Sequence, residues 1–121
     1  MQLSQLFHVA GVANVITYDE GLKSTDAEKK RLLAIRVVVD EIADNKVQCY
    51  HERAKVFDYP DRLIDIEDGT GTLNKAKAGA RINEIEVGIE IPVGEIVKVA
   101  IQCAATATDI WGAYEYELMG G

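Results

Sequence analysis

The supply of side chains for nucleophilic or metal chemistry is short: His8 and His51, Ser4 and Ser24, Cys49 and Cys103. A Ser–His–Asp triad needs a serine on an elbow within reach of an imidazole. Both serines fall in the N-terminal quarter, outside any elbow motif. A cupin-type metal site needs a His-x-His cluster, a following glutamate and a later histidine, and no such spacing occurs. His51-Glu52 therefore reads as an exposed strand pair. Each cysteine sits in an apolar-alternating segment, with no helix terminus beside it to lower the thiol pKa. We read both as buried thiols acting as small hydrophobes, with a bridge between neighbouring strands as the second reading. The expectation is a protein that is not an enzyme and carries no cofactor.

Carboxylates are plentiful, and their spacing admits two chemistries. Asp65, Glu67 and Asp68 precede Gly69-Thr70-Gly71-Thr72, and hard oxygen ligands on a tight loop suit Ca²⁺. The register is not that of an EF-hand, so we read a solvated loop and keep these three residues as calcium candidates. The Gly-x-Gly is followed by neither a helix nor a lysine, which leaves no phosphate cradle. Glu84, Glu86 and Glu90 share one strand face, as do Glu115 and Glu117 on another. Same-face neighbours lie about 7 Å apart along a strand, within the range of a glycosidase pair. No aromatic platform accompanies them, and a solvated face that discourages unwanted stacking accounts for them. Trp111 has the opposite parity from Tyr114 and Tyr116. If the tyrosines face the core, Trp111 stands outside beside Ala113, where it serves a subunit contact ahead of a glycan.

Strands must position these groups. Ile85, Val87, Ile89 and Ile91 alternate with Glu84, Glu86, Gly88 and Glu90, the period of a strand with one face buried and one in water. Pro92-Val93-Gly94-Glu95 turns the chain. Val97, Val99, Ile101 and Cys103 then share a face within a strand over Ile96 to Thr108. After a turn near Thr108-Asp109, Ile110, Tyr114, Tyr116 and Leu118 alternate with Trp111, Ala113, Glu115 and Glu117. The last third is expected as a three-stranded meander. Upstream, Leu33, Ile35, Val37 and Val39 form one face, and Ala43–Lys46 a turn. Val47 to Phe57 is a strand whose parity shifts, as a bulge near Tyr50–Arg53 would produce. Val12–Tyr18 and Leu63–Ile66 are further candidates, and Thr25–Glu28 makes at most one helical turn. Seven or eight short strands indicate an all-β chain: a single-domain antiparallel β-sandwich of jelly-roll or Greek-key type over residues 1–121. Long links at 19–30 and 67–80 suit such crossings.

Charge narrows the partners. The 121 residues hold 20 acidic and 13 basic side chains, a net charge of −7, and most of it lies beyond Pro60. Such a chain lacks the basic footprint for nucleic acid or an anionic membrane. It has no run of about 18 apolar residues for a transmembrane helix, and its N-terminus lacks the basic start of a signal peptide. Residues 1–16 are apolar on both parities and read as an N-terminal arm that packs on its own domain or on a neighbour. Ala100, Ala104 and Ala113 with Thr106 and Thr108 make a smooth strand face. Both features favour a homo-oligomer, with Leu3, Leu6, Phe7, Val9 and Trp111 as its contacts.

The strand Arg31-Leu-Leu-Ala-Ile-Arg-Val-Val-Val and the run Ile89-Glu-Ile-Pro-Val-Gly-Glu-Ile-Val-Lys-Val-Ala-Ile resemble small jelly-roll subunits of virus particles. An Ala/Thr-rich turn and a final Tyr/Glu strand complete the likeness, which covers about residues 31–118 and rests on rhythm. It implies a structural subunit of phage or archaeal-virus capsid or fibre type, forming a trimer or ring and meeting other virion proteins. Its expected location is a virion or the cytoplasm, and the resemblance brings no catalytic residues. The alternative is a carbohydrate-binding, lectin-like sandwich, with Ca²⁺ held at Asp65–Asp68 or a sugar stacked on Trp111.

Overall fold

Alternating side chains become strands throughout the computed structural model, which describes residues 2–64 and 84–119. The strands are β1 (Gln2–Ala10), β2 (Ile16–Tyr18), β3 (Leu22–Lys23), β4 (Lys30–Val39), β5 (Lys46–His51), β6 (Ala54–Pro60), β7 (Glu84–Ile91), β8 (Ile96–Gln102) and β9 (Asp109–Leu118). One 3₁₀ turn, Asp61–Leu63, is the only helical piece among the described residues. One sheet has the order β1-β9-β4-β7 and the other β2-β8-β5-β6, with β3 also on β8. All pairings are antiparallel.

The pairs nest. β1 lies on β9, β2 and β3 on β8, β4 on β7, and β5 on β6. This is one long antiparallel ribbon, its tip at Glu52-Arg53, rolled so that it contributes to both layers: a jelly roll. β2 and β3 share one column, so nine strands fill eight positions. The all-β sandwich expected from the sequence is the observed fold.

Pairing departs from expectation in three places. β7, β8 and β9 are not a meander, because β7 and β9 flank β4 while β8 lies in the other sheet. Period two dictates which face a strand buries and is silent about its neighbour. The parity shift in residues 47–57 marks a hairpin turn, with Glu52 at φ 56°. The bulge sits further on, at Val56, where pairing passes from Cys49–Phe57 to Tyr50–Lys55. In β4 the register slips between Leu32 and Ala34, so Leu32, not Leu33, joins Ile35, Val37 and Val39 in the core. Thr25–Glu28 closes as a turn on its own backbone and starts no helix.

Residues 2–10 are no free arm: they form β1, in unbroken register with β9. Phe7 and Val9 enter the core beside Ile35, Val37, Ile110 and Tyr114, facing Val47, Cys49, Val97, Val99 and Ile101 from the other sheet. Burying each large aliphatic or Phe side chain contributes roughly 1.5–3 kcal/mol. Cys49 and Cys103 are both buried and free, as two small hydrophobes would be.

Two polar networks tie the layers at points the apolar core cannot. The fully buried Tyr114 hydroxyl donates to Asp19 Oδ2 at 2.8 Å and accepts from the Val99 N–H at 2.9 Å. Asp19 Oδ2 also accepts from Gly21 N, where the chain leaves β8 between β2 and β3 at φ 93°. Tyr114 thus stands in for the strand partner missing there. Tyr114→Phe is expected to strand the Val99 N–H and cost about 1–3 kcal/mol. A lower urea midpoint at unchanged slope would register that loss. Elsewhere, buried Asn45 Nδ2 donates to Thr106 O and Thr108 Oγ1, and its Oδ1 accepts from Ala104 N. Asp61 Oδ2 accepts from Ala43 N and Asn45 N. The β8–β9 loop is pinned to the β4–β5 turn by these bonds.

Candidate functional site

The residues with chemical potential are dispersed, each into a local pair. His8 Nε2 lies 3.0 Å from Asp109 Oδ2, and its ring stacks on Trp111 at 4.8 Å with planes 7° apart. His51 ends β5, half-buried, and pairs with Glu95 at 2.6 Å, while Glu52 lies in the hairpin turn, so the two are not an exposed strand pair. Ser4 Oγ donates to Glu115, and buried Ser24 Oγ accepts from Lys30 N. Burial pushes the Cys49 thiol up to about 12, away from a reactive thiolate. Among the described residues, no three His, Cys, Asp or Glu side chains gather as a metal would require. Asp65, Glu67 and Asp68 lie outside the described residues. No described helix is long and apolar enough to cross a membrane.

The expected contact residues separate into two groups. Phe7 and Val9 are 6% and 3% exposed and belong to the core, which removes them from any contact surface. Their odd parity points inward. Leu3, of the same parity, is half-buried near the strand end. Leu6 points outward and is 82% exposed, on a strand whose other edge no described strand pairs with. Trp111 stands outside, as the parity of Tyr114 requires, but His8 covers one face of its indole.

Among the described strands, β1 differs from every other edge. Natural sheets blunt their edges with charge, proline, bulges or brevity. β7 carries Glu84, Glu86 and Glu90 and a bulge at Gly88, with φ 68°. β6 carries Lys55, Asp58, Pro60 and the Val56 bulge. The β2–β3 edge is short and broken. β1 is nine residues long, regular, and free of charge, Gly and Pro, QLSQLFHVA.

The two outer faces also differ. On the β1-β9-β4-β7 sheet one row runs Ser4, Glu115, Ala34, Glu86, and the next Leu6, Ala113, Arg36, Glu84. Arg31 lies between Glu90 and Glu117. Arg36 Nε reaches both Glu84 and Glu115, at 3.4 and 3.3 Å. Beside the slips at Leu33 and Gly88 lies a hollow of about 480 Å³, lined by Leu33, Ala34 and Val87 together with Glu84, Glu86 and the buried Glu115. This face sets five glutamates against two arginines.

The opposite face is cationic. Its middle row is Tyr18, Ala100, Gln48, Asp58, flanked by Lys46 with Gln102 and by Lys98, Tyr50 and Lys55. Gln48 is 1% exposed although it points away from the core: its amide joins Gln102 and Asp58, and it accepts from the Tyr50 hydroxyl at 2.8 Å. Lys98 Nζ sits 4.7 Å over the Tyr18 ring. Burial opposes the Asp58 charge, but Lys55 and Gln48 outweigh it and hold its carboxyl below the ordinary range. Lys23, Lys46, Lys55 and Lys98 face one Asp58. The sequence hides this patch, because three separated segments build it.

Comparison with protein-family models, with curated proteins and with solved structures finds no match to this chain.

Proposed function

We propose that this chain is a non-enzymatic structural subunit that assembles with copies of itself, as a component of a virion or similar particle. The observation that carries the reading is β1, among the described strands the one long edge left without charge, proline or bulge, with Leu6 exposed at its midpoint. An edge of this kind is a template for another strand. A second β1 laid antiparallel across a two-fold axis satisfies both rows of backbone groups and joins two four-stranded sheets into one. Centred on Leu6, it sets the two Leu6 side chains side by side, with His8 and Trp111 next to them. The particle assignment is supported by the jelly-roll strand order, an architecture that virus subunits use, although lectins use it too.

Sedimentation velocity at tens of micromolar is expected to give a dimer or a larger closed species for the wild type. Leu6→Lys adds a charge to an exposed position and should weaken self-association at least about tenfold. The circular dichroism and melting temperature of the variant should stay at wild-type values, since Leu6 packs on nothing in the core. A wild type that stays monomeric at those concentrations sinks the reading. A glycan screen with and without Ca²⁺ addresses the lectin-like alternative, and specific binding there would favour it over assembly.

A further inference from the structure

The two outer faces carry opposite charge, and the acidic one has a hollow lined by both apolar side chains and glutamates. We infer that copies also stack head to tail, the glutamate face of one sandwich receiving the lysine face of the next. This deepens the self-assembly reading and rests on it. The occupant is a second copy because the chain itself supplies the complement: a net acidic protein gathers Lys23, Lys46, Lys55 and Lys98 on one sheet face, opposite the glutamates. A lysine has the shape the hollow asks for. Its methylene stem covers apolar surface such as Leu33 and Val87, while its ammonium stays beside the glutamate carboxylates.

Size sets the strength. A four-stranded face of this length offers on the order of 500 Å² per partner, a total near the lower limit for a specific interface. Exposed ion pairs add little each, roughly 0–1 kcal/mol, and are screened by salt. Stacking alone is therefore weak and salt-sensitive, and becomes firm when β1-paired dimers present it twice. The contact joins two different surfaces, so it closes a ring if the rotation allows and otherwise extends a chain.

The test is sedimentation velocity at about 50 mM and about 500 mM salt, conditions that span strong and weak screening. The samples are wild type, Glu86→Lys/Glu90→Lys, Lys46→Glu/Lys98→Glu, and the two variants mixed one to one. Wild type should show species beyond the dimer at low salt, with average mass at least about twofold above its high-salt value. Each variant alone presents like charges on both faces and should stop at the dimer. The mixture restores opposite charges at every contact and should regain the larger species. Circular dichroism confirms that each variant folds. A mixture that stays dimeric, or variants that assemble like wild type, overturns stacking. A salt-resistant dimer with nothing larger overturns stacking and leaves β1 pairing intact. Leu6→Lys is run at the same two salt concentrations: salt-sensitive assembly that it does not change overturns β1 pairing instead, and a monomer in every sample overturns both.

Discussion

Gly112→Ala is expected to cost about 3 kcal/mol or more and to lower the melting temperature by roughly 10 °C or more. Gly112 sits in β9 between β1 and β4, opposite Phe7 on one side and Val37 on the other. A Cβ there would lie 1.8 Å from the Arg36 carbonyl oxygen and 2.7 Å from Phe7 Cζ. The first contact is with backbone, which yields only if two paired strands move. The second is with a ring already fixed against Tyr114, at 5.2 Å between centroids. Gly88→Ala is the control. Nothing lies within 4 Å of its Cβ position, so only the left-handed backbone at φ 68° resists, a cost of about 1–2 kcal/mol. Thermal melts of the two variants should differ about twofold or more, and equal shifts would refute the packing account. Because Phe7 holds β1 on β9, Gly112→Ala should weaken assembly together with the fold. Leu6→Lys should weaken assembly alone.

Leu6 and Phe7 mark how far the sequence reads. Both are apolar and adjacent, which says that residues 2–10 pack on something, but one is 82% exposed and the other 6%. Which parity turns inward is decided by β9, and no local pattern in β1 contains that choice. Where one parity carried the large apolar side chains, alternation sufficed: Ile85 and Ile91, Val97, Val99 and Ile101, Ile110 and Tyr114 all face the core. Leu33 misled because the slip that expels it belongs to the pairing of β4 with β9. The acidic face was legible in Glu84, Glu86 and Glu90, which are exposed, but not in Glu115, which is buried and held by Ser4 and Arg36. The hollow among these glutamates was not, since it lies beside two irregularities in neighbouring strands that are distant in the chain. The same limit hid Gln48 and its tyrosines and the Tyr114–Asp19 tie.

Raising the pH above about 9 is expected to destabilise the fold steeply, through two acids that the core keeps neutral. Burial raises the Cys49 thiol from 9.0 to about 12. Burial also raises the Tyr114 phenol well above its ordinary 10.0, although the Val99 N–H donated to its oxygen pulls the other way. In both cases the folded state holds its proton at a pH where the unfolded chain releases it. The stabilisation is therefore complete below the unfolded pKa and declines as pH rises toward the folded one. Each group removes up to about 1.4 kcal/mol per pH unit in that window. Cys49 acts first, from about pH 9, and Tyr114 joins from about pH 10. Urea melts of wild type and Cys49→Val at pH 8, 9, 10 and 11 should start with similar values and diverge, the variant losing less with each step. Tyr114→Phe should start lower at pH 8 and then fall less steeply than wild type above pH 10, at the slope that Cys49 alone sets. Curves that run parallel for all three proteins would mean that neither acid governs alkaline unfolding. The divergence would also show that the core holds a thiol and a phenol in the protonated form that packs, out of reach of the thiolate or phenolate that reacts.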